Sequence, residues 1–284
     1  MTSYLVTGLL SGAAYGLLAM GFVLVYKGTR TFNLAHGEIG GVGVYTAWVL
    51  LGRLPVLAAS LVGVAVAALV ALAMERLLVR RVSGQGPLAG LTVTLGAGLS
   101  LAYGEALLFG YNIKTFPSPV GRGSFHLASA TVTAPRLAAL AALVISAVGL
   151  GLLLRRTRLG LAMRAVTSDA DLARLSGVAV DRSRGLTWAL AGALAGTAAI
   201  LLASVYTFHP LSNTLVMVRA LAAALLGGLT SLSGAAAAGL AVGVAESLVI
   251  SRTADPGVVD AVIFAMILST LLVRPEGLFG AREA

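Results

Sequence analysis

The chain has 284 residues, of which 58% are apolar and only 11% charged, with a mean hydropathy of +0.96. An ordinary soluble domain carries about 25% charged residues, and a chain this poor in polar side chains cannot clothe a globule. Disorder is excluded by the same numbers, and the absence of cysteine excludes disulfides, thiolate metal sites and cysteine nucleophiles. The net charge of +9 comes from arginine more than from the two lysines, Lys27 and Lys114. Because the arginines cluster beside apolar runs, the charge reads as the positive-inside bias of membrane loops and not as a nucleic-acid surface.

A helical span needs about 20 apolar residues. Six charge-free stretches qualify: Tyr4–Tyr26, Leu54–Met74, Val82–Gly104, Leu137–Leu154, Gly185–Phe208 and Ala220–Ala245. Two shorter ones are Ile39–Leu51 and Ala261–Val273. These predict an all-α, polytopic bundle of eight or nine spans in one membrane domain covering 1–284. No charge precedes Lys27, so the first run lacks the basic start of a signal peptide and is expected to be a true span. Arg76, Arg80, Arg81, the arginines of 155–184, Arg274 and Arg282 are expected in the cytoplasm, with Lys27 and Arg30 beside them and the N-terminus outside. Glycines recur every fourth residue at Gly8–Gly12–Gly16, Gly192–Gly196 and Gly239–Gly243, a spacing that lets helix backbones approach closely in lipid.

Two segments do not read as simple spans. The first runs from Lys27 to Glu38 and is followed by Gly40, Gly41 and Gly43; the second is Leu226–Gly234, with Gly227 and Gly228. Glycine pairs and hydroxyl residues break helices, and freed backbone groups in a membrane must be satisfied by protein or water. Two such breaks in different halves of a chain point to a transport pathway, or to two ordinary loops between short spans. Asn33, His36 and Glu38 cluster in the first, with Asn33 and His36 spaced to share a helical face. One His and one Glu are too few for a structural zinc site, and the other histidines, His126 and His209, fall on the outer side. A polar hinge and a proton relay remain open for these three. Glu75 is expected at the cytoplasmic interface near Arg76. Glu105 and Glu246 should face the bundle interior, either bonding a neighbouring helix or lining the path.

The longest gap between spans, 155–184, holds seven arginines and three aspartates. Ser168 as N-cap, Asp169 and Asp171 in the first turn, apolar Leu172 and Leu175, and a stop at Gly177 predict one short amphipathic helix there. It is either a solvated positive-inside loop or a docking element.

Four stretches in this order resemble the permease subunits of branched-chain amino acid ABC importers, the LivH type. They are Asn33-Leu34-Ala35-His36-Gly37-Glu38; Gly160-Leu161-Ala162-Met163-Arg164-Ala165-Val166 with Asp169, Ala173 and Gly177; Leu226-Gly227-Gly228-Leu229 with Ser231 and Gly234; and Arg274-Pro275-Glu276-Gly277-Leu278-Phe279-Gly280. The resemblance covers almost the whole chain. It implies a second related permease, two cytoplasmic ATP-binding subunits, an extracytoplasmic substrate-binding protein, a prokaryotic cell membrane and no cofactor. It also implies that Gly160, Arg164, Asp169, Ala173 and Gly177 belong to a helix docking into the ATPase, and that Asn33–Glu38 lies at the break of a pathway-lining helix. Related permeases carry urea or short amides, so the substrate side chain stays open. The chain has no Gly-x-x-x-x-Gly-Lys-Ser/Thr loop and is not itself the ATP-binding subunit. A stand-alone proton-coupled carrier is the rival reading.

Overall fold

The computed structural model describes residues 2–121, 123–127, 130–253 and 255–280. Arg122 and the side chain of His126 lie outside the described residues. Among the described residues the regular structure is helical apart from one hairpin. In order come α1 (Thr2–Thr29), α2 (His36–Leu50), α3 (Val56–Val82), α4 (Pro87–Phe109), strands β1 (Ser124–Leu127) and β2 (Ala130–Thr133), and α5 (Ala134–Arg156). The short α6 (Arg158–Ser168) and α7 (Ala170–Leu175) follow, then α8 (Val180–Ala203), α9 (Ser212–Gly227), α10 (Leu232–Ile250) and α11 (Pro256–Val273). Among the described residues six helices are long and apolar enough to cross a membrane, and Ser212–Gly227 and Gly257–Val273 are shorter apolar ones. Outward faces carry Leu57, Leu61, Leu69, Leu107, Ile145 and Leu272, all well exposed. Such a surface is untenable in water and natural against hydrocarbon, so this is an integral membrane protein.

The bundle is built around α1, the most buried of the long helices. A strongly apolar helix surrounded on all sides belongs in a core, and α1 meets α5, α8, α9 and α10. Its glycine stripe does what the spacing predicts. A Cβ on Gly8 would lie 2.6 Å from the Gly243 carbonyl, and one on Gly12 2.6 Å from that of Gly239. The two stripes therefore face each other, backbone against backbone. The Gly192–Gly196 pair packs in the same way on Ala67 and Ala71 of α3. In lipid, close van der Waals fit replaces the hydrophobic effect as the force between helices, and small residues provide it.

Several expectations change. The charge-free Ala220–Ala245 run is interrupted at the Gly227–Gly228 break: it holds the end of α9, a turn and most of α10. The hairpin β1–β2, which pairs Ser124 with Thr133 and Leu127 with Ala130, adds strand structure to the expected all-α bundle. Glu75 lies toward the arginine-rich end of the bundle, in one pocket wall with Arg30, Arg80 and Arg184, but not at the surface. It is buried and held by Arg80, with Nε–Oε1 at 3.2 Å and Nη2–Oε2 at 2.8 Å. The cause is a π-turn over Glu75–Val79, whose i→i+5 bonding brings position 80 round to face position 75.

The arginine-rich pieces gather at one end of the bundle. Arg80 reaches Asp181, Arg184 bonds Ser83, Lys27 bonds the Thr230 carbonyl, and Thr167 bonds the Lys27 carbonyl. This is called the basic end below. At the opposite end Lys114 and Phe208 exchange backbone hydrogen bonds.

Candidate functional site

The first break is a re-entry into the bundle. α1 ends at Thr29, Arg30 takes φ 53°, and Thr31–Ala35 runs back inward. His36 then packs against Gly21, where a Cβ would come within 2.5 Å of Nε2. Gly21 lies eight residues before the end of α1, so α2 starts about 12 Å inside the bundle at 1.5 Å per residue. With 15 residues, α2 is about 22 Å long and spans only part of a hydrocarbon core. It is a half-helix with its N-terminus at membrane depth.

What holds this backbone in place is mostly α4. Thr94 donates to the Phe32 carbonyl (2.8 Å) and accepts from the Leu34 amide (3.3 Å). Asn33 Oδ1 accepts from the Ala35 amide (3.1 Å), and the Asn33 carbonyl accepts from the His36 amide (3.2 Å). Asn33 and His36 are thus brought together by a turn. They do not share a helical face, because Asn33 precedes the helix. Phe32 packs on Tyr26 and Phe22, which anchors the segment to α1.

Around the first two turns of α2 the polar groups converge. Thr214 of α9 donates to Glu38 Oε1 at 2.5 Å. One turn on, a Cβ at Gly41 would meet Glu105 Oε1 of α4 at 2.7 Å and Asn213 Nδ2 of α9 at 2.8 Å. Glu38 is 4% exposed, Glu105 5%, and Asn33 and His36 1% each. Most of their polar atoms find no hydrogen-bond partner among the described residues: Asn33 Nδ2, Glu38 Oε2, both oxygens of Glu105 and the hydroxyl of buried Tyr45. The His36 ring lies edge-on to Phe22 with no hydrogen bond of normal geometry. Native interiors leave few such groups, and in lipid each costs several kcal/mol. A concentration of them is the mark of a site.

A cavity of about 480 Å³ adjoins this cluster toward the opposite end. Its walls include Ser11, Tyr15, Tyr206, Asn213, Arg219 and Glu246, and Asn213 belongs to cavity and cluster alike. Arg219 is paired with Glu246 (3.1 Å) and Asp260 (3.4 Å). A second cavity, about 430 Å³, lies at the basic end, lined by Lys27, Gly28, Met163, Arg164 and Thr167 among others.

The second break is closed upon itself. Gly228 has φ 94°, and a Cβ there would come 2.6 Å from the Gly280 amide. Leu278 and Phe279 donate backbone bonds to the carbonyls of Leu226 (2.9 Å) and Gly227 (3.2 Å). Ser231 caps α10 by accepting from the Gly234 amide at 3.0 Å. Gly227 and Gly228 therefore sit at the basic end, apart from Asn33, His36 and Glu38.

The loop at the basic end forms two helices, not one. Thr157 caps α6 through the Gly160 amide (3.0 Å). Asp169, not Ser168, caps α7, accepting from the amides of Asp171 and Leu172 at 2.9 Å each. Gly177, with φ 81°, ends α7: its amide bonds the Arg174 carbonyl and the next amide bonds that of Ala173, a Schellman stop. Ala173 is buried with Val166 and Val180. Gly160 lies so close to Leu153 and Leu154 that no side chain fits. Arg164 and Asp169 are exposed, as are Leu161, Leu172 and Leu175.

The family described as "Branched-chain amino acid transport system / permease component" matches residues 4–271. The chain belongs to this family. Its curated relatives include the high-affinity branched-chain amino acid transport system permease protein LivH of Salmonella typhimurium, 30% identical over 97% of this chain and 94% of the relative. LivH of Escherichia coli K12 matches with the same identity and coverage. The corresponding BraD protein of Pseudomonas aeruginosa is 30% identical over 98% and 95%. The protein is accordingly a transport component of the membrane and not an enzyme in its own right.

Sequence reasoning found Asn33, His36 and Glu38, and left Glu105 undecided between packing and path. It missed Tyr45, Thr94, Asn213 and Thr214. A lone acid inside an apolar run is a usable signal for Glu105. The others are ordinary polar residues on spans, which only the tertiary fold brings to the α2 terminus.

Proposed function

We propose that this chain is the membrane-spanning permease subunit of an ATP-driven importer that moves branched-chain amino acids delivered by an extracytoplasmic binding protein. The observation that carries the reading is the half-helix α2, whose start places polar groups without partners at membrane depth. Family membership and the names of the relatives supply the substrate class. Under the positive-inside rule the basic end lies in the cytoplasm and the N-terminus outside. The long helices with α2, α9 and α11 then make nine crossings or part-crossings in one domain, with 155–185 as its coupling loop.

The expected partners are a second related permease and two cytoplasmic ATP-binding subunits. Exposed Leu161, Leu172 and Leu175, set among Arg158, Arg164 and Arg174, suit a docking face on the ATPases. A shift of α6 has a short route inward. Thr167 bonds the Lys27 carbonyl (2.7 Å) and Lys27 bonds the Thr230 carbonyl (3.0 Å), so α6 touches the start of the first break and the turn of the second. Closure of the ATPases would move α6, change the tilt of α1 and α2, and switch the α2 site between the outer and the cytoplasmic cavity.

Gentle purification of the tagged chain tests the assembly, with co-elution of two ATPases and a second permease expected. Arg164→Glu and Asp169→Arg should leave the protein in the membrane while uptake falls at least about tenfold, since a reversed charge at a docking face costs several kcal/mol. Normal uptake by both variants removes the coupling role. A lone chain catalysing proton-driven uptake in liposomes overturns the importer reading.

A further inference from the structure

Glu38 and Glu105 come from different helices, α2 and α4: Glu105 packs on Gly41, which offers no side chain and lies one turn after Glu38 on the same face of α2. Together they carry four carboxylate oxygens. One accepts from Thr214, and the other three have no partner among the described residues. Several other described acids are paired instead: Glu75 is held by Arg80, Glu246 and Asp260 by Arg219, and Asp181 by Arg80 and Arg174. Neither Glu38 nor Glu105 forms an ion pair with any described residue. A separate observation points the same way. The Tyr45 hydroxyl, on a ring 2% exposed, is also without a partner, and it lines the same groove as Glu105. That groove, about 460 Å³, is walled mostly by apolar groups such as Val42, Leu101, Leu108 and Phe109, with Thr46 and Ser100 among them.

A primary ammonium has three donors and no acceptor. Its three donors equal the three unpartnered carboxylate oxygens in number, its positive charge offsets one of the two negative ones, and the neighbouring phenol oxygen is a further acceptor. A neutral amide such as urea would leave the carboxylate charge uncompensated in hydrocarbon. An aliphatic side chain fits the groove beside the pair. We infer that Glu38 and Glu105 form the counter-charge that receives the α-ammonium of an aliphatic amino acid as it crosses, with Tyr45 and the α2–α4 groove beside it. This rests on the importer reading and adds to it a residue, Glu105, and a chemical criterion that excludes uncharged substrates.

The test uses the complete importer, with both permeases, ATPases and binding protein, in proteoliposomes. E105Q and E38Q should each lower ATP-driven leucine uptake at least about tenfold, as expected when a charge-assisted hydrogen bond is lost. Subunit composition and binding-protein-stimulated ATP hydrolysis should stay at wild-type levels, and E105D should recover part of the uptake. In a second arm, isoamylamine should raise the melting temperature of the purified wild-type complex but not of E105Q, and 4-methylpentanoate should raise neither. Uptake by E105Q within twofold of wild type overturns the assignment. So does loss of the second permease from E105Q, which would make Glu105 an interface residue, and so does equal stabilisation by the amine and the acid. Failure of the wild-type complex to take up leucine with ATP would overturn the importer reading instead, and the melting arm would still decide the carboxylate pair.

Discussion

The two glycine-broken segments share one sequence signature and differ in what they do with their polar groups. At Leu226–Gly234 the Leu226 and Gly227 carbonyls receive the Leu278 and Phe279 amides, Thr230 receives Lys27, and Ser231 caps the next helix. At Arg30–Glu38 the backbone is held by Thr94 and Asn33, yet the side-chain atoms that cluster there, Asn33 Nδ2, Glu38 Oε2 and both oxygens of Glu105, have no partner among the described residues. A break whose freed groups are all answered by the protein is a turn. A break that leaves polar atoms unanswered at membrane depth is a place for something else to bind. Glycine content does not separate the two cases; the hydrogen-bond balance does.

The largest effect should come from the closed break. Gly228→Val puts a β-branched residue at φ 94° and drives its Cβ to 2.6 Å from the Gly280 amide. Left-handed strain and overpacking together cost about 3 kcal/mol or more. The yield and melting temperature of the detergent-extracted protein should fall sharply, whereas transport per folded molecule should stay close to wild type. A variant that melts normally would show that the second break is not a rigid turn.

The open break should respond the other way round. Thr94→Val keeps the shape of the side chain and removes the hydroxyl that bonds both the Phe32 carbonyl and the Leu34 amide. Leaving those buried groups without a partner costs about 2 kcal/mol. The loss is local, so amide exchange at Leu34–Gly37 should speed up before global melting shifts much, and uptake should fall more than stability does. If exchange in that segment is unchanged, the start of α2 is held by the bundle and not by Thr94.

Composition alone revealed the all-α membrane class, and the four-residue glycine spacing located the α1–α10 seam, because close helix contact in lipid demands small residues at that period. The polar cluster at Asn33–Glu38 was legible for a related reason: polar residues inside an apolar stretch need a cause. Other features were hidden. Hydropathy alone counts Ala220–Ala245 as one charge-free run; the glycine pair and hydroxyls marked the break at Leu226–Gly234, but not that the closing segment 277–280 seals it. The Glu75–Arg80 pair depends on a π-turn that no periodicity announces. Glu105 comes to the Glu38 turn of α2 by packing on Gly41, 64 positions earlier in the chain, and nothing local at either one encodes the other.

The surface loop offers a third kind of break, solvated and capped by its own side chains, and the smallest expected effect. Asp169 accepts from two amides at the start of α7, and it is exposed. Asp169→Ala removes the cap and should cost about 1 kcal/mol, confined to α7, whereas Asp169→Asn keeps an acceptor of the same shape and should cost a few tenths. Uptake separates the two roles the residue could have in coupling. If capping is what matters, with α7 holding Leu172 and Leu175 toward the ATPase, Asn transports normally and Ala is impaired in step with faster amide exchange in α7. If the negative charge itself meets a cation on the ATPase, Asn and Ala fall together while α7 exchange speeds up only in Ala. The double-amide geometry favours the first outcome, since both well-formed hydrogen bonds of the Asp169 carboxylate are spent within its own helix.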